Sequence, residues 1–554
     1  MNKNLILGVV ALTAVAPAMH AASKAKSKKA KSPNILYIMT DQQRWDALGC
    51  AGEFPFLQTP NLDKLASQSA YFTNAYTPCA VSGPARSALL TGLLVEHTNV
   101  LTNELTAQDP VANNFTTQPT LDQVLAKEGY YTEYHGKWHA PVSWTDCYEE
   151  FIVHQKNKNN PFAYELEHFV KYRKMIREKF GREPMIDGDY LDRSMFNVYY
   201  TPDPIDRRAI HGSDADGYLV AEELAKRPMT QPDNHGLLKL PDAYSLTAFQ
   251  AEESIAALKR ASKQDKPFAI TLSINFPHAP MLPTEGYYRM YDPEQMPTPA
   301  SIGDKLIDSP YTNQNGRKAL PEYTDPAMVK YMMSNYFGLI TEIDYWIGEV
   351  LKALEQTGQA DNTIVVFVSD HGEMLGSHGM REKNIFYEES ARVPLMIRYP
   401  KAIKSREINN NVTTLDLTAT LADYAGVEFA DSDSRSLRSL IEGNYKGDNV
   451  VVTEWLYNGI NQPSHMIVKD GWKLFLNYSK DSRVMPVLFN LEEDPYEMVN
   501  LIGRSNESRK EYLQKAESLK ADLIEWLKAR NSNYAEMLSK VEILVTTHAP
   551  LILL

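Results

Sequence analysis

Residues 81–92 read VSGPARSALLTG, spacing Ser82, Pro84 and Arg86 two apart at the start of a run that suits a helix. A serine there is an ordinary helix cap. It is also placed for nucleophilic chemistry, because unpaired N–H groups at a helix N-terminus favour an anion. Asp41-Gln42 and Asp370-His371 each follow an apolar run, and together they offer two carboxylates, an amide oxygen and an imidazole. The oxygens suit a hard divalent cation such as calcium or magnesium, while the imidazole keeps manganese or zinc open. EYHGKWHAP (133–141) carries Lys137 and His139 two apart, which in an extended segment point to one side. His278 stands in PHAP directly after another apolar run, and Lys383 lies in MREKNIFYEES (380–390), close enough to Asp370 to loop back over a metal. Each of these residues alone reads as a turn, a cap or a surface side chain. Chemistry requires that they meet.

The elements that would bring them together are legible. PNILYIMT (33–40), PFAITLSINF (267–276), TIVVFVS (363–369) and VPLMIRYP (393–400) predict strands buried on both faces. Helical stretches lie between them, including TLDQVLAKEG (120–129) and a long one over 335–358 that ends at Gly358. The alternation predicts an α/β fold with a large, mostly parallel sheet sandwiched by helices. Ligands of such sheets bind outside the carboxyl ends of the strands, where Asp41, His278 and Asp370 all fall. The stretch from about 150 to 245 has no clear period and reads as an insertion that shapes a substrate pocket. A main domain is expected over 33–443. Past Gly443, apolar strands and then a helix from about Ser508 to Ala529 predict a smaller C-terminal antiparallel-sheet plus helix subdomain over 444–554. Its closing segment, VEILVTTHAPLILL, is apolar yet too short to span a bilayer.

Composition narrows the class. The 554 residues carry a formal net charge of −13, which argues against a nucleic-acid partner. Lys3, the apolar run LILGVVALTAVAPAM and the small residues of HAAS predict a signal peptide over 1–22, too short for a spanning helix. A basic linker over 23–32 follows, and the mature chain is expected in the periplasm or outside the cell, with no membrane span. Three cysteines make no disulfide framework, and Cys79 reads as a small buried filler.

Together these motifs form a familiar pattern. Ser82-Gly83-Pro84-Ala85-Arg86, closed by Thr91-Gly92, resembles the signature of the formylglycine-dependent (type I) sulfatases of the alkaline phosphatase superfamily, in their serine-type bacterial branch. Asp41, GKWH, PHAP and SDHGEMLGSHG (369–379) follow in the family's order, and LFNLEEDPYEMVNL resembles its closing motif. The resemblance covers 33 to about 502 and implies an alkaline phosphatase-like fold. It implies that a serine-type maturase oxidises Ser82 to formylglycine (3-oxoalanine), whose hydrate attacks sulfur with one hydroxyl and expels sulfate with the other. Cys79 is not that residue, because no proline or arginine follows it at the required spacing. By the same likeness Asp41, Gln42, Asp370 and His371 hold a calcium ion beside residue 82. Arg86 and Lys137 hold the nucleophile and sulfate, His139 contacts the formylglycine hydroxyl, and His278 and Lys383 touch sulfate and the leaving oxygen. An ordinary histidine pKa of about 6.5 suits His139 as base in the elimination and His278 as acid toward the leaving alcohol. Asp-Gln and Asp-His stand where the commonest pattern has Asp-Asp and Asp-Asn. That variant resembles a branch including uronate 2-O-sulfatases, choline sulfatases and phosphonate monoester hydrolases. The implied activity is hydrolysis of O-sulfate esters, chiefly on carbohydrates such as glycosaminoglycan-derived sugars. The alternatives are phosphonate monoester or phosphodiester hydrolysis, a choline or aryl sulfatase, and an inactive glycan-binding homologue.

Overall fold

The computed structural model describes residues 32–103, 119–140, 153–155, 164–180, 200–202, 235–238, 240–311, 321–456, 464–477 and 486–543. The apolar runs become strands β1 (Asn34–Asp41), β2 (Ala70–Tyr76), β3 (Tyr131–Gly136), β4 (Phe268–Pro277), β5 (Thr363–Ser369), β6 (Arg392–Arg398) and β7 (Arg406–Thr413). They form one seven-stranded sheet in the order β7-β2-β6-β5-β1-β4-β3. β3, β4, β1 and β5 are parallel neighbours, and β7 is parallel to β2. β6 runs against both of its neighbours. The sheet is therefore mostly parallel with one reversed strand, as the α/β reading expects.

Period-two alternation sends successive residues of β1 to opposite layers. Ile35 and Met39 join Val366, Val368 and Leu395 beneath helices α2 (Ser82–Thr91), α3 (Leu121–Lys127) and α6 (Leu417–Ala425), which contribute Leu89, Leu125 and Leu421. Leu36 and Ile38 face the other side with Val365 and Phe367. There α1 (Pro60–Ser67), α4 (Leu246–Ala261) and α5 (Pro326–Gln356) bury Leu62, Leu258, Ile343 and Ile347. Covering both faces explains why the central strands carry continuous apolar runs.

Two boundaries differ from expectation. α5 starts at Pro326, not 335, because Asp325 caps it by accepting from the Ala327 N–H at 2.9 Å. Its extra turns bury Met328, Val329, Met332 and Met333. β2 and β7 escape the apolar-run reading, since AYFTNAY and REINNNVT interleave polar residues. β7 is an edge strand and leaves part of one side to solvent, so it tolerates them.

Strands β8 (Val450–Trp455), β9 (Ser464–Lys469), β10 (Trp472–Asn477) and β11 (Val487–Asn490) form a separate antiparallel sheet. One face packs Ile467, Leu474 and Leu488 on Leu519, Leu523 and Leu527 of α7 (Arg509–Lys528). The other face packs Phe475 and Phe489 on Phe386 and Tyr387 of the large unit. Cys79 is fully buried beside Val81 and Ala88. The expected signal peptide, nearly all of the basic linker, most of the 150–245 insertion and the last residues of the apolar tail lie outside the described residues.

Candidate active site

β1 and β5 end side by side, and the residues that follow turn toward each other. The Asp370 N–H donates to the Thr40 carbonyl at 3.2 Å, and the Gln42 N–H donates to Asp370 Oδ1 at 3.1 Å. Ser82 is the first residue of α2, yet its hydroxyl caps nothing in the helix. It lies instead 2.8 Å from His371 Nε2 and 3.5 Å from Asp41 Oδ1. Ligand atoms of Asp41, Asp370 and His371 all fall within 4.8 Å of one another, and all three residues are fully buried.

Cations close around these carboxylates. Arg86 Nε donates to Asp370 Oδ2 at 2.7 Å, its Nη1 donates to Ser273 Oγ at 2.8 Å, and its Nη2 sits 3.7 Å from Asp41 Oδ2. Lys137 Nζ is bonded to Asp41 Oδ2. Burial alone would push the Asp41 carboxyl up, but the Lys137 and Arg86 charges hold it well below the usual carboxylate range. Gly136 makes the Lys137 approach possible. A Cβ there would lie 1.7 Å from the Ser273 carbonyl oxygen, and φ is 105°. Only glycine fits.

The histidine tautomers follow from their carbonyl partners. His371 Nδ1 stands 3.0 Å from the Gly372 carbonyl and therefore carries the proton, leaving Nε2 with its lone pair toward Ser82. His278 Nδ1 likewise donates to the Ala279 carbonyl at 2.7 Å, and its Nε2 accepts from Lys383 Nζ at 2.9 Å. Burial, and then the Lys383 charge, hold His278 well below its ordinary value. Burial also lowers Lys383 and His371.

His139 departs from the sequence reading. β3 stops at Gly136 and His139 has φ 47°, so the pleat that would aim it with Lys137 has ended. Its ring is brought to the cluster by the turn itself. Nδ1 is buried without a hydrogen-bond partner among the described residues, and burial with the Lys137 and Arg86 charges keeps the ring neutral. Gln42, expected among the metal ligands, accepts at Oε1 from Lys383 Nζ at 2.5 Å and donates from Nε2 to Glu373. Glu373, Ser273 and Asn103, which accepts the Gly83 N–H at 2.7 Å, are supporting residues that the sequence reading missed. Glu373 alone had a signal, three positions after Asp370 in the same motif.

Two buried carboxylates and an imidazole whose lone pair faces Ser82 fit a divalent cation. The same region decides the family. Residues 33–427 match the family model described as Sulfatase, and 376–527 match one described as N-sulphoglucosamine sulphohydrolase, C-terminal. The chain belongs to the sulfatase family. This sulfatase is 30% identical over 518 residues to an arylsulfatase of Clostridium perfringens, covering 91% of this chain and 96% of the relative. It is 27% identical over 515 residues to the N-acetylglucosamine-6-O-sulfatase of Bacteroides thetaiotaomicron, covering 88% and 85%. Its fold is also that of a phosphonate monoester hydrolase from Silicibacter pomeroyi, with a TM-score of 0.69 at 21% identity, covering 93% of this chain and 98% of that one. The sulfatase is a sulfuric ester hydrolase. Among its described residues no helix is long and apolar enough to cross a membrane.

A buried lysine of the second sheet braces the segment that follows Lys383. Lys473 of β10 is fully buried, with Nζ 2.6 Å from Glu388, 2.7 Å from Glu497 and 3.0 Å from the Phe386 carbonyl. Glu497 also accepts the Glu388 N–H at 2.7 Å. Residues 386–388 are thereby clamped by the C-terminal sheet, three positions past Lys383.

Proposed function

We propose that this sulfatase removes O-sulfate groups from carbohydrates, glycosaminoglycan-derived sugars being the class in view. The reading includes export after loss of residues 1–22, a catalytic unit over 33–443 with the C-terminal unit over 444–554, oxidation of Ser82 by a serine-type maturase, and calcium as the ion. The observation that carries it is the 2.8 Å contact of the Ser82 side chain with His371 Nε2, inside a buried group of two carboxylates ringed by Arg86, Lys137 and Lys383. The N-acetylglucosamine-6-O-sulfatase relative supports a sugar substrate.

When present, formylglycine would supply a nucleophile with its own release step, and a divalent ion held by Asp41, Asp370, His371 and residue 82, with Gln42 beside them, would supply Lewis acidity. The chain's own side chains do the rest. Arg86 and Lys137 offset the two carboxylates, and Lys383 adds the positive charge that a sulfate group meets. His139, neutral and with Nδ1 unpartnered, is able to take a proton from the side chain at position 82. His278 has no proton on Nε2, so the proton offered to the leaving oxygen is held on Lys383 Nζ, and His278 orients that ammonium. Burial lowers the Lys383 pKa and makes the proton easier to give.

The test sets matured enzyme against defined sulfated mono- and disaccharides, with aryl sulfate, choline sulfate and phosphonate monoesters alongside. Release of sulfate from a sugar at the highest kcat/KM supports the reading, and a preference for the phosphonate esters overturns it. Mass spectrometry of the 81–86 peptide from a native host reads the modification directly. An unmodified serine there would favour the inactive homologue.

A further inference from the structure

A second polar cavity, of about 400 Å³, opens between β7, α7 and the 435–448 segment, and none of its lining residues belongs to the catalytic cluster. Arg530 lines it and is only 6% exposed. Its guanidinium stacks 3.8 Å from the Trp526 ring centroid, which fixes the plane of the fork. Among the described residues, neither Nε nor Nη1 has a hydrogen-bond partner. Buried arginine N–H groups left unpaired are costly, and native proteins seldom keep them without a ligand. Burial lowers the Arg530 guanidinium to about 10 and raises the nearby Asp416 carboxyl to about 6, and each charge partly offsets the shift of the other.

The remaining lining says what kind of ligand this is. Arg435 adds a second guanidinium, Lys469 is paired with Asp522 at 2.9 Å, and Asp416, Asp448 and Glu525 add acceptors. Tyr445, 44% exposed, adds an open aromatic ring. A guanidinium with unpaired donors takes an oxygen of a carboxylate or sulfate. Carboxylates a few ångströms away repel a compact inorganic dianion, but they accept hydrogen bonds from hydroxyl groups. A tyrosine ring packs on a sugar face. We infer that this cavity is a second binding site, for a singly anionic saccharide whose carboxylate or sulfate group seats on Arg530 and Arg435. The inference is independent of which ester the catalytic centre cleaves.

The test is a tryptophan-fluorescence titration of the full chain, with Trp526→Phe as the control that removes the reporter. The probes are glucuronic acid and glucose 6-sulfate, which carry the two oxyanions, together with neutral glucose and inorganic sulfate. A saturable change with at least one acidic sugar is expected, and none with glucose or sulfate. Arg530→Met keeps the stem and should weaken that binding by about ten-fold or more, as should Arg435→Ala at an exposed position where folding is not at risk. Hydrolysis of a small aryl sulfate should stay within about two-fold in both variants, because the sites share no residue. No saturable change with either acidic sugar, equal curves in wild type and both variants, or inorganic sulfate binding as well as the sugars would each overturn the site.

Discussion

His371 Nε2 and the Ser82 hydroxyl are 2.8 Å apart, and the opposite ring nitrogen is committed to the Gly372 carbonyl at 3.0 Å. A residue from the end of β5 therefore meets the first residue of α2, nearly three hundred positions away, with its lone pair forward. The side chain at position 82 thus faces the same groups that suit an ion.

Ser82→Ala should abolish sulfate release, because nothing else in the pocket replaces the side chain. His139→Ala should lose about 10²–10⁴-fold in kcat, the usual contribution of one general base. Circular dichroism and thermal midpoint should stay close to wild type in both. Undiminished hydrolysis by Ser82→Ala would remove residue 82 from the chemistry.

Chelation should lower the thermal midpoint, and titrating calcium back should raise it with concentration, as for any ligand bound only by the folded state. Asp370→Asn should abolish that dependence while the chain remains folded. A midpoint indifferent to both chelator and calcium would exclude an ion from this cluster.

Lys473→Met strands the Glu388 and Glu497 carboxylates in the interior, a change that costs about 3–5 kcal/mol when one partner of a buried pair is removed. If the clamp positions Lys383, kcat should fall several-fold with little change in KM, measured well below the melting temperature. Adding Glu497→Gln should recover part of the stability by deleting one unpaired charge. Lost stability with unaltered kcat would mean the clamp is structural only.

Glu342 is buried on α5, neither carboxylate oxygen has a hydrogen-bond partner among the described residues, and burial raises its pKa from 4.5 to about 7. The folded state then holds a proton that the unfolded state releases between those values, so stability falls as pH rises from 4.5 to about 7. Glu342→Gln should match wild type in urea near the lower pH and exceed it above the upper one, by on the order of 3 kcal/mol. A stability gain that is the same at both ends would show that ionisation is not its source.

The strand cores were legible because burial on both faces leaves an unmistakable apolar run, as TIVVFVS does for β5 over Thr363–Ser369. Strands with mixed composition, β2 and β7, were not, since an edge and its neighbour satisfy different solvents on each side. Asp41, Ser82 and Asp370 could be picked out by their place after a strand or before a helix. The arrangement of His139 could not, because it depends on a positive φ after Gly136 rather than on strand periodicity. Lys473 and Glu497 were invisible as a pair, for they join two segments only through tertiary packing.

The order of the large sheet carries a consequence for biosynthesis. β1 lies between β4 and β5, whose first residues are Phe268 and Thr363, so the growing chain exposes β1 without neighbours until both have been made. Until then the His371 side of the Ser82 site has not been made, whereas in the finished fold the same serine has no exposed surface. Under the proposed function, an enzyme acting on position 82 would have to reach the polypeptide before the sheet closes, which would make strand order a deadline.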